Sequence, residues 1–290
     1  AGEVTFGVDL TGFSTRVTQD GSSWNDGDKI GTYVLDMKTL EPVTEAANVP
    51  YVCSEEGASV SFTSTTPLKV QNDGTPVKFV AYYPYNADVR NFNYPVQLAA
   101  QERGSTACDL LYAATKEEYT YSPENEPHIS LNFTHRLAKV ILKFVNMEKE
   151  PLEVSDVRIE GMQTAASFNI QTDVLTVDES SVATINPYHN ATTGFYEAII
   201  LPSALTDSYK VSFVLDDREK EWIFTNLDIA LPQFHKGYSY TFALYIDDSG
   251  FVEMGRLENV EGGNSSAPWE DGSSEDGTAE GDKTPVSGYA

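Results

Sequence analysis

The feature that most constrains this chain is an alternation of apolar and polar residues with a period of two, recurring in short runs from end to end. At the start, Val4, Phe6, Val8 and Leu10 are separated by Thr5, Gly7 and Asp9, within a strand expected over Glu3 to Phe13. The spacing returns at Val77, Phe79, Ala81 and Tyr83, at Ile129, Leu131 and Phe133, and at Tyr240, Phe242, Leu244 and Ile246. Side chains of an extended chain point alternately to opposite faces, so each run predicts a strand with one buried face. Pro84, Pro202 and Pro232 end three such runs, since proline cannot donate to a central ladder. With 16 Tyr, 14 Phe, 20 Gly and 14 Pro, the composition is that of an all-β protein. One short helix is expected, over Thr106 to Ala114.

A chain of 290 residues is long enough to bury two cores. The strongest break in pattern is Tyr119 to Pro127, which carries Pro123, Glu124, Asn125, Glu126 and Pro127. It predicts a first domain over residues 1–127 and a second over 128–260. Residues 261–290 are Gly, Ser and acid around Trp269, and are expected to form a flexible acidic tail. Asp26-Gly27 and Asp216-Asp217 mark tight turns.

A formal net charge of -25 repels phosphate backbones, so nucleic acid is not an expected partner. Cys53 and Cys108 are too few for a metal ribbon; they read as two buried thiols, or as a pair in an oxidising compartment. His128, His135, His189 and His235 are isolated, so neither metal nor cofactor is expected. There is no nucleophile elbow, phosphate loop or dinucleotide fingerprint. The chain is therefore not read as an enzyme, although two carboxylates facing across a cleft would leave no mark in one sequence. The Tyr82-Tyr83-Pro84-Tyr85 cluster reads first as core, with an aromatic platform for sugars as the other reading. No window is apolar enough to span a membrane, and Ala1 opens directly on strand-like sequence. Any export signal is expected to have been removed ahead of it.

The first strand is followed at once by a polar segment in which Arg16 is the one basic residue before Trp24. A well-packed strand tethered by a cleavable loop can be removed and replaced. Residue by residue, the stretch reads first as an ordinary N-terminal strand with a surface arginine.

Several stretches resemble the fimbrillin-like surface pilins of Bacteroidales. They are Trp24-x-x-Gly27-Asp28-x-Ile30-Gly31, Phe79-Val80-Ala81-Tyr82-Tyr83-Pro84-Tyr85, Asp109-Leu110-Leu111-Tyr112-Ala113 and Phe133-x-His135-x-Leu137-Ala138-Lys139-Val140. Ile200-Leu201-Pro202, Gly237-Tyr238-x-Tyr240 and Pro268-Trp269 follow in order. The resemblance implies two transthyretin-like β-sandwich domains in tandem and no catalysis. It also implies export as a lipoprotein to the outer membrane and a place in a pilus as stalk, anchor or tip. In that family a protease cuts behind the first strand, here after Arg16, and a neighbouring subunit's C-terminal strand fills the vacated groove. The displaced side chains would be Val4, Phe6, Val8 and Leu10. The candidate donor is the stretch Phe251 to Val260, with Phe251, Leu257 and Val260 out of strict alternation. Expected partners are other pilin subunits, a maturation protease and surface ligands of host or bacterium. The alternative reading is a surface binding module, for glycans or host adhesion, that does not polymerise.

Overall fold

The computed structural model describes residues 1–9, 24–57, 59–147, 153–247, 255–258 and 270–271. Among them the alternating runs are strands, and the one helical element is a 3-10 turn at Ser105–Cys108. Eight strands of the first half form one sheet. Their order is His128–Ser130, Thr5–Asp9, Ser59–Thr63, Val49–Cys53, Lys29–Asp36, Val77–Tyr83, Leu111–Ala114 and Thr134–His135. Neighbours run antiparallel except for His128–Ser130, which lies parallel to Thr5–Asp9. The two outermost strands are joined by Leu131 to Phe133 alone, a step of roughly 14 Å at full extension. The sheet therefore curls until its ends nearly meet, enclosing Val4, Phe6, Trp24, Tyr51, Phe62, Phe79 and Phe133 in one core. Trp24 anchors it, meeting Phe62, Tyr83 and Phe133 edge to face at 5.1, 5.3 and 5.6 Å.

In the second half Ala138–Asn146 lies between antiparallel Tyr196–Ile200 and parallel Tyr238–Ile246, and Gly255–Glu258 flanks the latter. A smaller sheet of Val154–Glu160, Lys210–Leu215 and Arg218–Ile223 shares a core with it, through Val140, Leu142, Phe213, Trp222 and Phe242. Asp216 and Asp217 turn the last hairpin at φ 47° and 59°, the left-handed pair that a two-residue turn requires.

A third core joins the halves. Tyr33, Leu35, Val80, Tyr82 and Tyr112 of the first sheet pack with Phe168, Ile170, Ile199 and Leu201. Asn93–Gln97 also pairs antiparallel with Ala165–Asn169, so one three-stranded sheet takes strands from both halves. Gln101, 1% exposed, donates to the carbonyls of Leu98 and Ile199 and accepts from the Ile199 amide, all at 2.7 Å.

Two expectations differ from this arrangement. The helix expected over Thr106 to Ala114 is a single 3-10 turn followed by the strand Leu111–Ala114. Leu111 and Ala113 face one core while Leu110 and Tyr112 face another, and a short run buried on both sides has no period to tell strand from helix. The break expected at Pro127 falls inside the first sheet, because His128–Ser130 and Thr134–His135 are its two outer strands. The Pro-rich stretch is a surface turn of that sheet, closed by Tyr119 on Val77 and by Asn125 on Ser122. Of the tail, Glu270–Asp271 pairs in parallel with Tyr238 and Ser239; its other residues lie outside those described.

Candidate functional site

The chain enters the first sheet in two steps. Gly2–Glu3 pairs with Lys69–Val70, and Thr5–Asp9 then runs between His128–Ser130 and Ser59–Thr63. Val4, the residue between the two ladders, is held by backbone and side chain together. Its amide donates to the Leu68 carbonyl at 2.9 Å, and its carbonyl accepts from the Tyr51 hydroxyl at 2.9 Å. That hydroxyl also accepts from the Leu68 amide at 2.9 Å, so one phenol ties the first strand to the chain beside it. Burial pushes the Tyr51 phenol up to about 12, which keeps it a donor.

Val4, Phe6 and Val8 are 0%, 0% and 2% exposed. Phe6 meets Tyr51 edge to face at 4.8 Å and Phe79 at 5.8 Å. Burial of side chains of this kind contributes roughly 1.5–3 kcal/mol each, so the strand is a substantial part of the core it completes. Two glycines allow its close fit. A Cβ at Gly2 would lie 2.3 Å from Tyr121 Cε2, and one at Gly7 would lie 2.7 Å from His128 Nε2. Thr5 Oγ1 and His128 Nδ1 are hydrogen-bonded at 2.9 Å on the same flank. Alternation alone anticipates the burial of Val4, Phe6 and Val8. The Tyr51 clasp had no signal beyond the period-two burial of Val49, Tyr51 and Cys53. Leu10 and Arg16 lie outside the described residues.

The described part of the candidate donor stretch, Gly255–Glu258, belongs to a different sheet from the first strand. Leu257, 8% exposed, belongs to the second core, on a strand that flanks Tyr238–Ile246 at the sheet's edge. Gly255 on that strand lies under Trp222, where a Cβ would meet Cζ2 at 2.4 Å. Lys143 Nζ and Glu258 pair at 2.6 Å across the same edge. Phe251 and Val260 lie outside the described residues. The cysteines do not pair: Cys53 is buried, with its thiol donating to the Glu55 carbonyl, and Cys108 is half-buried in another core. Among the described residues no three His, Cys, Asp or Glu side chains gather as a metal site, and no helix is long and apolar enough to cross a membrane.

Solved structures share this architecture. A proposed cell adhesion protein of Bacteroides uniformis superposes with a TM-score of 0.71 at 22% identity, over 89% of this chain and 97% of that one. A second proposed cell adhesion protein, from Bacteroides ovatus, gives a TM-score of 0.63 at 16% identity, over 89% and 95%. A fimbrial assembly protein of Parabacteroides distasonis gives 0.50 at 11% identity, over 89% and 99%. At these identities the likeness concerns the fold alone. Curated proteins offer no match. The fimbrillin-like family profile, however, matches residues 15–269, from behind the first strand to the Trp269 segment, and the chain accordingly belongs to the fimbrillin-like family.

Proposed function

We propose that this protein is a structural subunit of a surface pilus, exported as an outer-membrane lipoprotein and assembled by replacement of its first strand after cleavage at Arg16. Family membership, with neighbours among fimbrial and adhesion proteins, supports a pilus or adhesion role at the cell surface. The finer reading rests on one observation. The first strand is flanked by partners on both edges and buries Val4, Phe6 and Val8, yet it precedes a polar segment whose one basic residue before Trp24 is Arg16.

While the strand is tethered, its high effective concentration keeps the groove filled and its neighbours' edge groups paired. Once cut, it is a separate peptide, and a strand offered by a neighbouring subunit competes for the same ladder bonds and side-chain pockets. The candidate donor is the stretch bearing Phe251, Leu257 and Val260. Its described part, Gly255–Glu258, flanks Tyr238–Ile246 at the edge of the second sheet, from which a strand leaves without disturbing those inside. In this reading the curled first sheet and the second pair of sheets are two sandwich units in tandem, with the division near Leu137 rather than Pro127.

Treatment of the folded protein with an Arg-specific protease tests the proposal. Mass spectrometry should find cleavage at Arg16 and loss of residues 1–16, followed by oligomers in size-exclusion chromatography; Arg16→Ala should fold normally and stay monomeric. Resistance of Arg16, or cleavage with no gain in assembly, would reduce the first strand to a static part of the sheet.

A further inference from the structure

Away from the first strand, on the face of the sheet that carries the third core, Tyr33, Asn48, Tyr85, Arg90, Asn91 and Phe92 line a pocket of about 510 Å³. We propose that this pocket binds a pyranose sugar bearing a carboxylate. Its volume falls within the range of small-ligand sites. No acidic side chain lines it, and Arg90 is its one charge, in a chain whose net charge is -25.

Three observations set the pocket apart from ordinary loop packing. Tyr33 is 3% exposed and lines the pocket, and its hydroxyl, which has no protein partner, is not among the side-chain atoms sealed from solvent, so what remains accessible of it faces the cavity. A hydroxyl that opens on the cavity and is not committed to the protein is available to exchange its water for a ligand hydroxyl. Burial, and then the neighbouring Tyr85 phenol, holds the Tyr33 hydroxyl protonated well above its ordinary range, so it remains a donor.

The second observation is the turn that forms one wall. Asn93 closes it by donating to the Arg90 carbonyl at 3.0 Å, and both central residues are left-handed, Asn91 at φ 50° and Phe92 at φ 63°. Such a turn favours Asn followed by Gly, and a phenyl side chain in the glycine position is an outlier. Local rules are broken most often where function needs the side chain. The Phe92 ring leans on Tyr33, with centroids 4.8 Å apart and planes 39° apart, and the half-buried Tyr85 lines the same cavity. Aromatic walls of this kind suit the apolar C–H face of a sugar ring.

The third is the fixed polar rim. Asn48 accepts from the Tyr82 hydroxyl at 2.6 Å and donates to the Asn86 carbonyl at 2.9 Å, which orients its amide and leaves one lone pair and one N–H over. Arg90 Nη1 donates to the carbonyls of Ala87 and Val89 at 2.7 and 2.9 Å, pinning the guanidinium with Nη2 unengaged. A preorganised guanidinium beside planar amides and aromatic rings matches a carboxylate on a polyhydroxylated ring. Tyr33 belongs to a different core from Val4 and Phe6, so the site is intact before and after any exchange of the first strand.

Titration of the full chain with methyl β-D-glucuronide and methyl β-D-glucoside, which share one ring and differ at the carboxylate, tests the inference. By protein-observed NMR the glucuronide should bind saturably and at least about fivefold more tightly than the glucoside, as expected for one charge-assisted contact. Arg90→Ala should erase that preference, and Tyr33→Phe should weaken the glucuronide about tenfold while leaving the thermal midpoint unchanged or higher. Phe92→Gly supplies the residue the turn prefers, so it should fold at least as well as the parent and still lose binding. Absence of saturable glucuronide binding, equal affinity for the two glycosides, or full affinity in Tyr33→Phe or Phe92→Gly would overturn the assignment.

Discussion

Tyr51 carries more of the first strand's attachment than its place in the alternation suggests. Its ring fills the core beside Phe6, and its hydroxyl bonds both the Val4 carbonyl and the Leu68 amide. Tyr51→Phe keeps the ring and leaves both backbone groups without that partner in a site that excludes water. The expected cost is about 1–3 kcal/mol, read as a lower urea midpoint with an unchanged slope. An unchanged midpoint would show that the clasp contributes nothing. Spacing anticipates that Tyr51 is buried, because Val49 and Cys53 flank it at period two. It says nothing of the hydroxyl, whose partners lie 47 and 17 residues away.

The strand Gly255–Glu258 shows how much a short edge element depends on one contact. It lies against Trp222, which is 1% exposed and cannot swing aside. Gly255→Ala would place a methyl 2.4 Å from the indole Cζ2. Overpacking of this kind costs about 1–3 kcal/mol. The strand should loosen before the rest, with faster hydrogen exchange at residues 241–244, which it pairs with. Unchanged protection there would mean that the indole finds room. The element was hard to read from sequence because Leu257 is its one buried large side chain and four residues hold too few periods to score. The strand Leu111–Ala114 departs from the expected helix for a related reason, being apolar on both faces.

At the scale of the whole molecule, the junction between halves is built from sheet, core and buried amide together. Asn93–Gln97 pairs with Ala165–Asn169, and Gln101 is bonded to Ile199 from both ends of its amide. Asp109 and His135 pair at 2.8 Å nearby, and Arg136 is bidentate to Asp173 at 2.7 and 3.0 Å. Halves so joined should not melt separately. Calorimetry should give one transition with equal calorimetric and van't Hoff enthalpies, and Gln101→Ala should lower its midpoint by a few degrees. Two resolved transitions in the parent protein would show that the junction is weaker than its contacts.

The sequence by itself determined the class of fold and one buried face of the alternating strands, since period-two alternation is local and survives without knowledge of partners; that Val80, Tyr82 and Thr241 are buried on the opposite face was decided by what packs there. It also determined the tight turns at Asp26-Gly27 and Asp216-Asp217, where backbone conformation follows from the residues themselves. Only the tertiary structure decided which strands are neighbours, because pairing across 122 residues, as between Thr5 and Pro127, has no local signature. The same holds for the placement of His128–Ser130 in the first sheet and for the pocket around Tyr33. Loops distant in sequence meet there, which no run of neighbours along the chain announces.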